Sequence, residues 1–311
     1  FWVTVFTLAL ISHPPLIALS AADQLDPSFD KDGKLLTVLG SGNVHAEAVL
    51  IQTDQKLVVA GSVLAGDDWD FILLRYCPNG KLDDGVNCGT PGFGTGGRVV
   101  TDFGGGLSDT AMDAVIQPDG KIIVAGTSAL YPQYDMALAR YDPNGNLDIT
   151  FDTDGLMWVD FGDDERGYAV ALQPDGKIVV GGVSYYATWG DFALARVCPN
   201  GGLDDGTRCG AVPFGSGGKV TTDFAGSSDW VDGLAVYDGK IIAGGSGGNK
   251  DFAVARYTDS GSLDTSFGVN GKATVSFGSG WDYGQDVLVQ PDGKIIVAGG
   301  GYAADWNTDF G

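Results

Sequence analysis

The stretch Tyr168-Ala-Val-Ala-Leu-Gln-Pro-Asp-Gly-Lys-Ile-Val-Val-Gly-Gly182 places small and β-branched residues on either side of a Pro-Asp-Gly turn. Pro fixes φ for the turn and Gly accepts a left-handed conformation, so the stretch predicts two antiparallel strands joined by a tight connection. The string Gln-Pro-Asp-Gly-Lys recurs at 117–121 and 290–294, and variants of it end at Lys56 and Lys240. The copies lie about 60 residues apart, a spacing that favours a propeller blade over a shorter helical repeat.

Two more segments complete each repeat. A third strand is typified by Asp191–Arg196, and its other copies are Asp70–Arg75, Asp135–Arg140 and Asp251–Arg256. A turn such as Asp142–Asn146 then leads to a fourth strand such as Lys219–Phe224, and no stretch shows sustained helical periodicity. We therefore predict an all-β fold, a β-propeller of four-stranded antiparallel blades with about five units present and an incomplete ring. A β-solenoid is disfavoured because its coils are usually shorter and its strands parallel.

Three phrases recur in a fixed order, and their clearest copies are Ala169–Gly182, Lys219–Phe224 and Asp251–Gly268. On these phrases the repeats resemble the bacterial delta-60 repeat family, and the resemblance covers nearly all of residues 25–311. It implies a large exported bacterial protein with a propeller-like fold. It implies no catalytic residues, since the family brings no established activity.

The N-terminal segment has the character of an export signal. Residues 1–22 carry no charge, and an apolar run gives way to small residues at Ser20 and Ala22. The pair Pro14-Pro15 interrupts the apolar run, which favours a cleaved signal peptide that lacks its start over a membrane anchor. We expect secretion or display at the bacterial cell surface.

Residues 23–311 are then expected to form the repeat array of a fragment. We expect partial units at 25–44 and 283–311, and fuller units near 45–109, 110–166, 167–229 and 230–282.

The composition of the chain disfavours some classes of binding partner. The chain has 311 residues, 50 of them Gly, and a formal net charge of −22. Hydrophobic residues make up 44%, enough for a large core, and the Gly excess fits a fold with many tight turns. The negative charge disfavours nucleic acid and anionic membrane surfaces as partners. No segment after the leader is apolar enough to span a membrane.

Four cysteines form two pairs of equal spacing. Ten residues separate Cys77 from Cys88, and ten separate Cys198 from Cys209. We predict the disulfides Cys77–Cys88 and Cys198–Cys209, in keeping with export. A zinc site is the weaker alternative because the closer ligand spacing is absent and His is scarce.

The charged residues are predicted to have structural roles and not catalytic ones. His45 is the single His after the leader, and we predict no catalytic residue. The Asp-x-Asp-Gly strings containing Asp30, Asp32, Asp152 and Asp154 are interpreted as polar turns, with calcium binding as the weaker alternative. The recurring Arg75, Arg140, Arg196 and Arg256 are predicted to form structural ion pairs, with Asp102, Asp160 or Asp223 as partners.

Aromatic residues cluster in the connections at one end of the predicted blades, beside acidic residues. Variable loops on a rigid scaffold often carry binding function, so we expect a glycan or an extracellular protein to bind there. The candidate ligand-binding residues are Trp69, Tyr131, Tyr134, Tyr185, Tyr186, Trp189, Trp230, Trp281, Tyr283 and Trp306.

Two functions follow from these features. The favoured one is a non-catalytic binding or scaffold module without a required cofactor. The alternative is a propeller-type polysaccharide lyase or glycoside hydrolase that uses carboxylates in a central cleft. Asp113, Asp232 and Asp286 each lie eight residues before a repeat Lys, and their recurrence favours a structural or ion-binding ring over a catalytic pair.

Overall fold

The computed structural model describes residues 25–310, apart from 40–41, 105, 131–132, 186–188, 226–227, 249–250, 279 and 303–307. The predicted signal peptide and the candidates Tyr131, Tyr186 and Trp306 lie outside the described residues. The chain divides into two compact units, residues 1–36 and 37–311. In the first unit, the described residues form turns, one of them closed by a 2.7 Å hydrogen bond from Gly33 N to Phe29 O.

The second unit contains five antiparallel sheets, each a simple meander. Sheet I comprises β1 (Val44–Ile51), β2 (Leu57–Ala65), β3 (Asp68–Tyr76) and β4 (Arg98–Thr101). Sheet II comprises β5 (Asp109–Ile116), β6 (Ile122–Leu130), β7 (Gln133–Tyr141) and β8 (Leu156–Val159). Sheet III comprises β9 (Glu165–Leu172), β10 (Ile178–Ser184), β11 (Asp191–Val197) and β12 (Lys219–Thr222).

Sheets IV and V continue the same order. Sheet IV comprises β13 (Trp230–Tyr237), β14 (Lys240–Gly247), β15 (Asp251–Tyr257) and β16 (Lys272–Val275). Sheet V has three strands, β17 (Asp282–Val289), β18 (Ile295–Tyr302) and β19 (Thr308–Phe310). The described residues contain no helix, so the predicted all-β fold of antiparallel blades is confirmed. None of the described segments offers a helix that could cross a membrane.

Apolar side chains fill the spaces between consecutive sheets. Phe71 and Phe103 pack with Ile122 between sheets I and II, and Phe192 and Tyr257 contribute to the cluster between sheets III and IV. The first strand of each sheet contacts the first strand of the next. Burial of these β-branched and aromatic residues removes apolar surface from water and holds the blades side by side.

Each first strand contains one β-bulge. At the bulge a residue of the first strand has no partner in the register of the second strand, which re-aims its side chain. We call the five residues without a partner the bulge residues: Glu47, Met112, Tyr168, Asp232 and Gln285. The second strand carries Gly opposite each bulge. At Gly182, for example, a Cβ would overlap the carbonyl oxygen of Arg166, so only Gly fits this close backbone approach.

The predicted arginine ion pairs are present, but their predicted partners are wrong. Each Arg pairs with the Asp eight residues later, in the connection between the third and fourth strands; the pairs are Arg75–Asp83, Arg140–Asp148, Arg196–Asp204 and Arg256–Asp264. The connection folds back against its own strand, as the 2.9 Å hydrogen bond from Asp83 N to Arg75 O shows. This local return brings Asp83 to Arg75 before the fourth strand begins.

Both predicted disulfides are confirmed. Cys77–Cys88 and Cys198–Cys209 each close the connection between the third and fourth strands, in sheets I and III. Each disulfide therefore closes one loop internally. These two loops are the longer copies of the connection that carries the aspartate paired with Arg.

Candidate functional site

A groove of about 520 Å³ lies where sheets I, II and III meet. Three bulge residues, Glu47, Met112 and Tyr168, line it. The remaining lining residues come from the starts of first and third strands and the ends of second strands: His45, Ser62, Trp69, Thr110, Ala111, Thr127, Tyr134 and Arg166. The groove thus combines a repeated backbone position with side chains that differ from blade to blade.

Aromatic rings form much of the groove wall. Trp69 packs on His45 with ring centroids 4.9 Å apart. The Arg166 guanidinium lies 5.4 Å from the centre of the Tyr134 ring and 5.8 Å from that of Tyr185, so a cation sits between two aromatic faces. The structure therefore places two of the predicted binding residues, Trp69 and Tyr134, in the groove lining, and a third, Tyr185, beside Arg166.

The groove carries both signs of charge. Burial raises the pKa of Glu47, and the neighbouring His45 partly opposes that rise. Burial, with the nearby Tyr185, raises the pKa of Tyr168 to about 12, so this phenol stays protonated and can donate a hydrogen bond at neutral pH. A carboxyl group, a guanidinium and a phenol therefore face one space.

Among the described candidates, five do not belong to the groove lining: Tyr185, Trp189, Trp230, Trp281 and Tyr283. Trp189 and Trp281 are exposed, at 59% and 50%, whereas Trp230 and Tyr283 are half-buried. Trp230 makes a hydrogen bond to the bulge residue Asp232. Burial nevertheless raises the pKa of Asp232 to about 7.

The predicted ring of Asp113, Asp232 and Asp286 combines two structural positions. Asp232 is a bulge residue, whereas Asp113 and Asp286 follow the bulge and pair with Ala125 and Ala298. The reason is the turn between the first two strands of sheet IV, which is one residue shorter because Tyr237 stands in place of Gln-Pro. In sheet IV the bulge residue therefore lies eight residues before the repeat Lys, whereas in the other sheets it lies nine before.

Sequence reasoning missed Glu47, Met112, Tyr168 and Arg166 as groove residues. The first three lie nine residues before the repeat lysines Lys56, Lys121 and Lys177, and their identity changes in each repeat. A change of residue type at a fixed point of a regular repeat is the signal that would have identified them.

The four aspartates named as calcium candidates lie in turns. Asp32 Oδ1 accepts a hydrogen bond from Lys34 N at 3.0 Å, and Asp154 Oδ1 accepts one from Leu156 N at 2.9 Å. Neither they nor Asp30 and Asp152 belong to any group of three potential metal ligands within the described part of the chain. Their geometry is that of the polar turn, and calcium at these positions stays a prediction.

Several known structures resemble the chain at low sequence identity. A mannose phosphorylase from Leishmania mexicana is 12% identical with a TM-score of 0.40, over 86% of this chain and 82% of its own. A GH43 endo-arabinanase from Bacillus licheniformis is 11% identical with a TM-score of 0.36, over 84% and 90%. A GH32 β-fructofuranosidase from Bombyx mori is 12% identical with a TM-score of 0.38, over 92% and 62%. Likeness at these TM-scores carries no inference about activity.

No curated protein matches the chain. A family model described as "Domain of unknown function (DUF5122) beta-propeller" matches five segments, at residues 52–85, 117–151, 173–206, 238–267 and 290–311. Each of the five matches begins near the turn between the first two strands of a sheet. The chain is therefore a β-propeller repeat protein that matches this family model once in each of its five sheets.

Proposed function

We propose that the protein is an exported, non-catalytic binding module that takes a carbohydrate in the groove between sheets I, II and III. The observation that carries this proposal is the convergence of Trp69, Tyr134 and Tyr168 with Glu47 and Arg166 around one space. Export is supported by the two disulfides, which persist in oxidising compartments.

The chemistry of the groove suits a sugar. Aromatic faces provide an apolar platform for the C–H face of a pyranose ring, and Trp and Tyr keep a polar group for hydrogen bonding. Glu47 accepts hydrogen bonds from hydroxyl groups, and Arg166 donates to ring or hydroxyl oxygens. The groove thus combines aromatic faces with several polar and charged side chains, which suits a ligand that has both C–H faces and hydroxyl groups.

A glycan array followed by isothermal titration with the best oligosaccharide tests the proposal. We expect Trp69→Ala and Tyr134→Ala each to weaken binding at least tenfold, because each removes a stacking face without opening the core. Trp281→Ala is the matched control, since this exposed ring lies outside the groove lining. An array without any bound glycan, or equal losses in all three variants, would contradict carbohydrate binding in this groove.

The enzymatic alternative rests on two carboxyl groups with raised pKa, Glu47 in the groove and Asp232 at the equivalent bulge of sheet IV. A raised pKa is what a general acid needs at neutral pH. Incubation with the bound oligosaccharide and measurement of new reducing ends distinguishes the two functions. Turnover that Glu47→Gln abolishes while binding persists would establish the enzyme; a bound but uncleaved oligosaccharide supports the binding module.

A further inference from the structure

Three groups of carboxylates recur where one sheet connects to the next. In each group, one oxygen of every residue lies within 4.8 Å of the others. We call them the carboxylate trios: Asp70, Asp102 and Asp109; Asp135, Asp160 and Glu165; and Asp191, Asp223 and Asp229. Each trio joins the third strand of a sheet, the end of its fourth strand, and the start of the next sheet's first strand.

The trios have no neutralising side chain among the described residues. None of the ion pairs found there, which reach to 4.0 Å, includes a trio carboxylate. Lys219 and Lys272 approach the second and third trios, but their Nζ atoms donate to the backbone oxygens of Asp160 and Asp223, at 2.7 and 2.8 Å. Three carboxylates packed this closely repel one another unless a cation or protons intervene.

The first two trios also contain a buried oxygen without a hydrogen-bond donor. Asp109 is fully buried and Asp135 is 6% exposed, and the Oδ1 atom of each has no hydrogen-bond partner. The two carboxyl groups are otherwise hydrogen-bonded, that of Asp109 to Ser128 and that of Asp135 to Glu165. Asp109 uses its other oxygen to accept a 2.8 Å hydrogen bond from Phe103 N. A buried carboxylate oxygen without a donor is costly and therefore points to a missing ligand.

We propose that the first and second trios each bind one Ca²⁺ ion. Ca²⁺ binds carboxylate oxygens at about 2.3–2.6 Å, so ligands on opposite sides of the ion can lie nearly 5 Å apart. The trios bring at least three oxygen ligands within this reach, and Ca²⁺ tolerates irregular sets of six to eight oxygens, whereas Mg²⁺ requires near-ideal octahedral geometry. Asp102 and Asp160 are exposed, which leaves a path for the ion and room for water ligands.

The position of the trios connects the ions to the groove. Asp70 and Asp109 adjoin the groove residues Trp69 and Thr110 in sequence. In the second trio, Asp135 and Glu165 adjoin Tyr134 and Arg166 in the same way. Bound Ca²⁺ therefore fixes the strand ends that present the groove wall.

The other two junctions supply internal comparisons. At the third, no carboxylate of the trio has a buried oxygen that lacks a hydrogen-bond partner, and both oxygens of Asp229 accept backbone hydrogen bonds of 2.7 Å, so the proposal does not include this trio. At the fourth, Ser276 stands where the other junctions have Asp102, Asp160 and Asp223. Its hydroxyl lies 3.5 Å from Asp282 Oδ2. Asp251 begins the third strand as Asp191 does in sheet III, so the equivalent positions of this junction hold only two carboxylates.

The test is titration of the full chain with CaCl₂ after removal of metal by EDTA and dialysis. Calorimetry and native mass spectrometry should both report Ca²⁺ binding, with one ion fewer in Asp109→Asn and one fewer in Asp135→Asn. Asn keeps an acceptor for the backbone hydrogen bond but removes the charge. Asp102→Asn, at an exposed position, should weaken the first site at least tenfold without affecting folding.

Asp251→Asn is the matched control and should leave the number of bound ions unchanged. Titration with MgCl₂ should give at least tenfold weaker binding than CaCl₂. The proposal is overturned if the parent binds no Ca²⁺ at millimolar concentration, if Asp109→Asn and Asp135→Asn bind as many ions as the parent, or if Mg²⁺ binds as tightly as Ca²⁺.

Discussion

Arg75 and Asp83 form a buried ion pair in which the Nε and Nη2 atoms of the arginine both lie 2.7 Å from the same carboxylate oxygen. Lys56, the repeat lysine of sheet I, lies 3.1 Å from that oxygen. The Arg75 guanidinium also covers the Phe93 ring at 4.6 Å and donates to the Pro143 carbonyl of the next repeat. One pair therefore joins the turn between the first two strands, the long connection and the neighbouring blade.

Asp83→Asn should lower the free energy of unfolding by about 3–5 kcal/mol, the usual cost of leaving a buried charge without its partner. The Arg75 side chain is 5% exposed and that of Asp83 is fully buried, so water cannot replace the lost carboxylate. Urea denaturation followed by far-UV circular dichroism measures the change. Asp264→Asn provides the comparison in sheet IV.

The Asp264 variant should lose less than the Asp83 variant, because the Arg256 side chain is 26% exposed, against 5% for Arg75, so water can reach its guanidinium when the carboxylate is removed. Equal losses at both positions would show that burial does not set the strength of these pairs.

The Arg–Asp pair also shows what sequence reasoning can predict in this chain. The Pro-Asp-Gly turns and the alternating strands were sufficient for the blades, since they depend on local turn chemistry and side-chain periodicity. The partner of Arg75 was mistaken because the connection doubles back on β3, and composition does not reveal such a return. The bulge residues Glu47 and Tyr168 were missed for a related reason: a bulge inserts one extra residue into the strand, and the sequence alone does not mark where the alternation of side chains shifts.

Stability should fall as pH rises through the titration of Asp232. Burial raises the pKa of this carboxyl from 3.8 to about 7 in the folded protein. Between these values the unfolded chain has released a proton that the folded chain retains, so the free energy of unfolding decreases with rising pH and levels off above pH 7. Asp232→Asn cannot ionise and should remove this contribution.

Thermal unfolding at pH 4 and at pH 8 measures the effect. We expect Asp232→Asn to match the parent at pH 4 and to exceed it by on the order of 1 kcal/mol at pH 8. A pH-independent difference for Asp232→Asn would refute the assignment.

The disulfide Cys77–Cys88 should contribute about 3 kcal/mol, because closing a loop of this length restricts the unfolded chain. We expect the double variant Cys77→Ser and Cys88→Ser to lose that amount in urea denaturation while keeping the same fold. The second repeat supports this expectation, since its connection forms the Arg140–Asp148 pair without cysteines. Mass spectrometry that finds four free thiols in exported protein would contradict both disulfides.

The bulge at Tyr168 requires a glycine opposite, and this requirement can be measured. A Cβ at Gly182 would overlap the carbonyl oxygen of Arg166, so Gly182→Ala must displace the backbone that carries both groove residues. We expect a loss of about 3 kcal/mol in urea denaturation, the upper range for overpacking a fixed core. Gly278→Ala is the control, because a Cβ there meets no atom within 4 Å, and it should change stability by less than about 0.5 kcal/mol. If Gly182→Ala is as stable as Gly278→Ala, the close backbone approach does not hold the bulge, and the placement of Tyr168 in the groove has another cause.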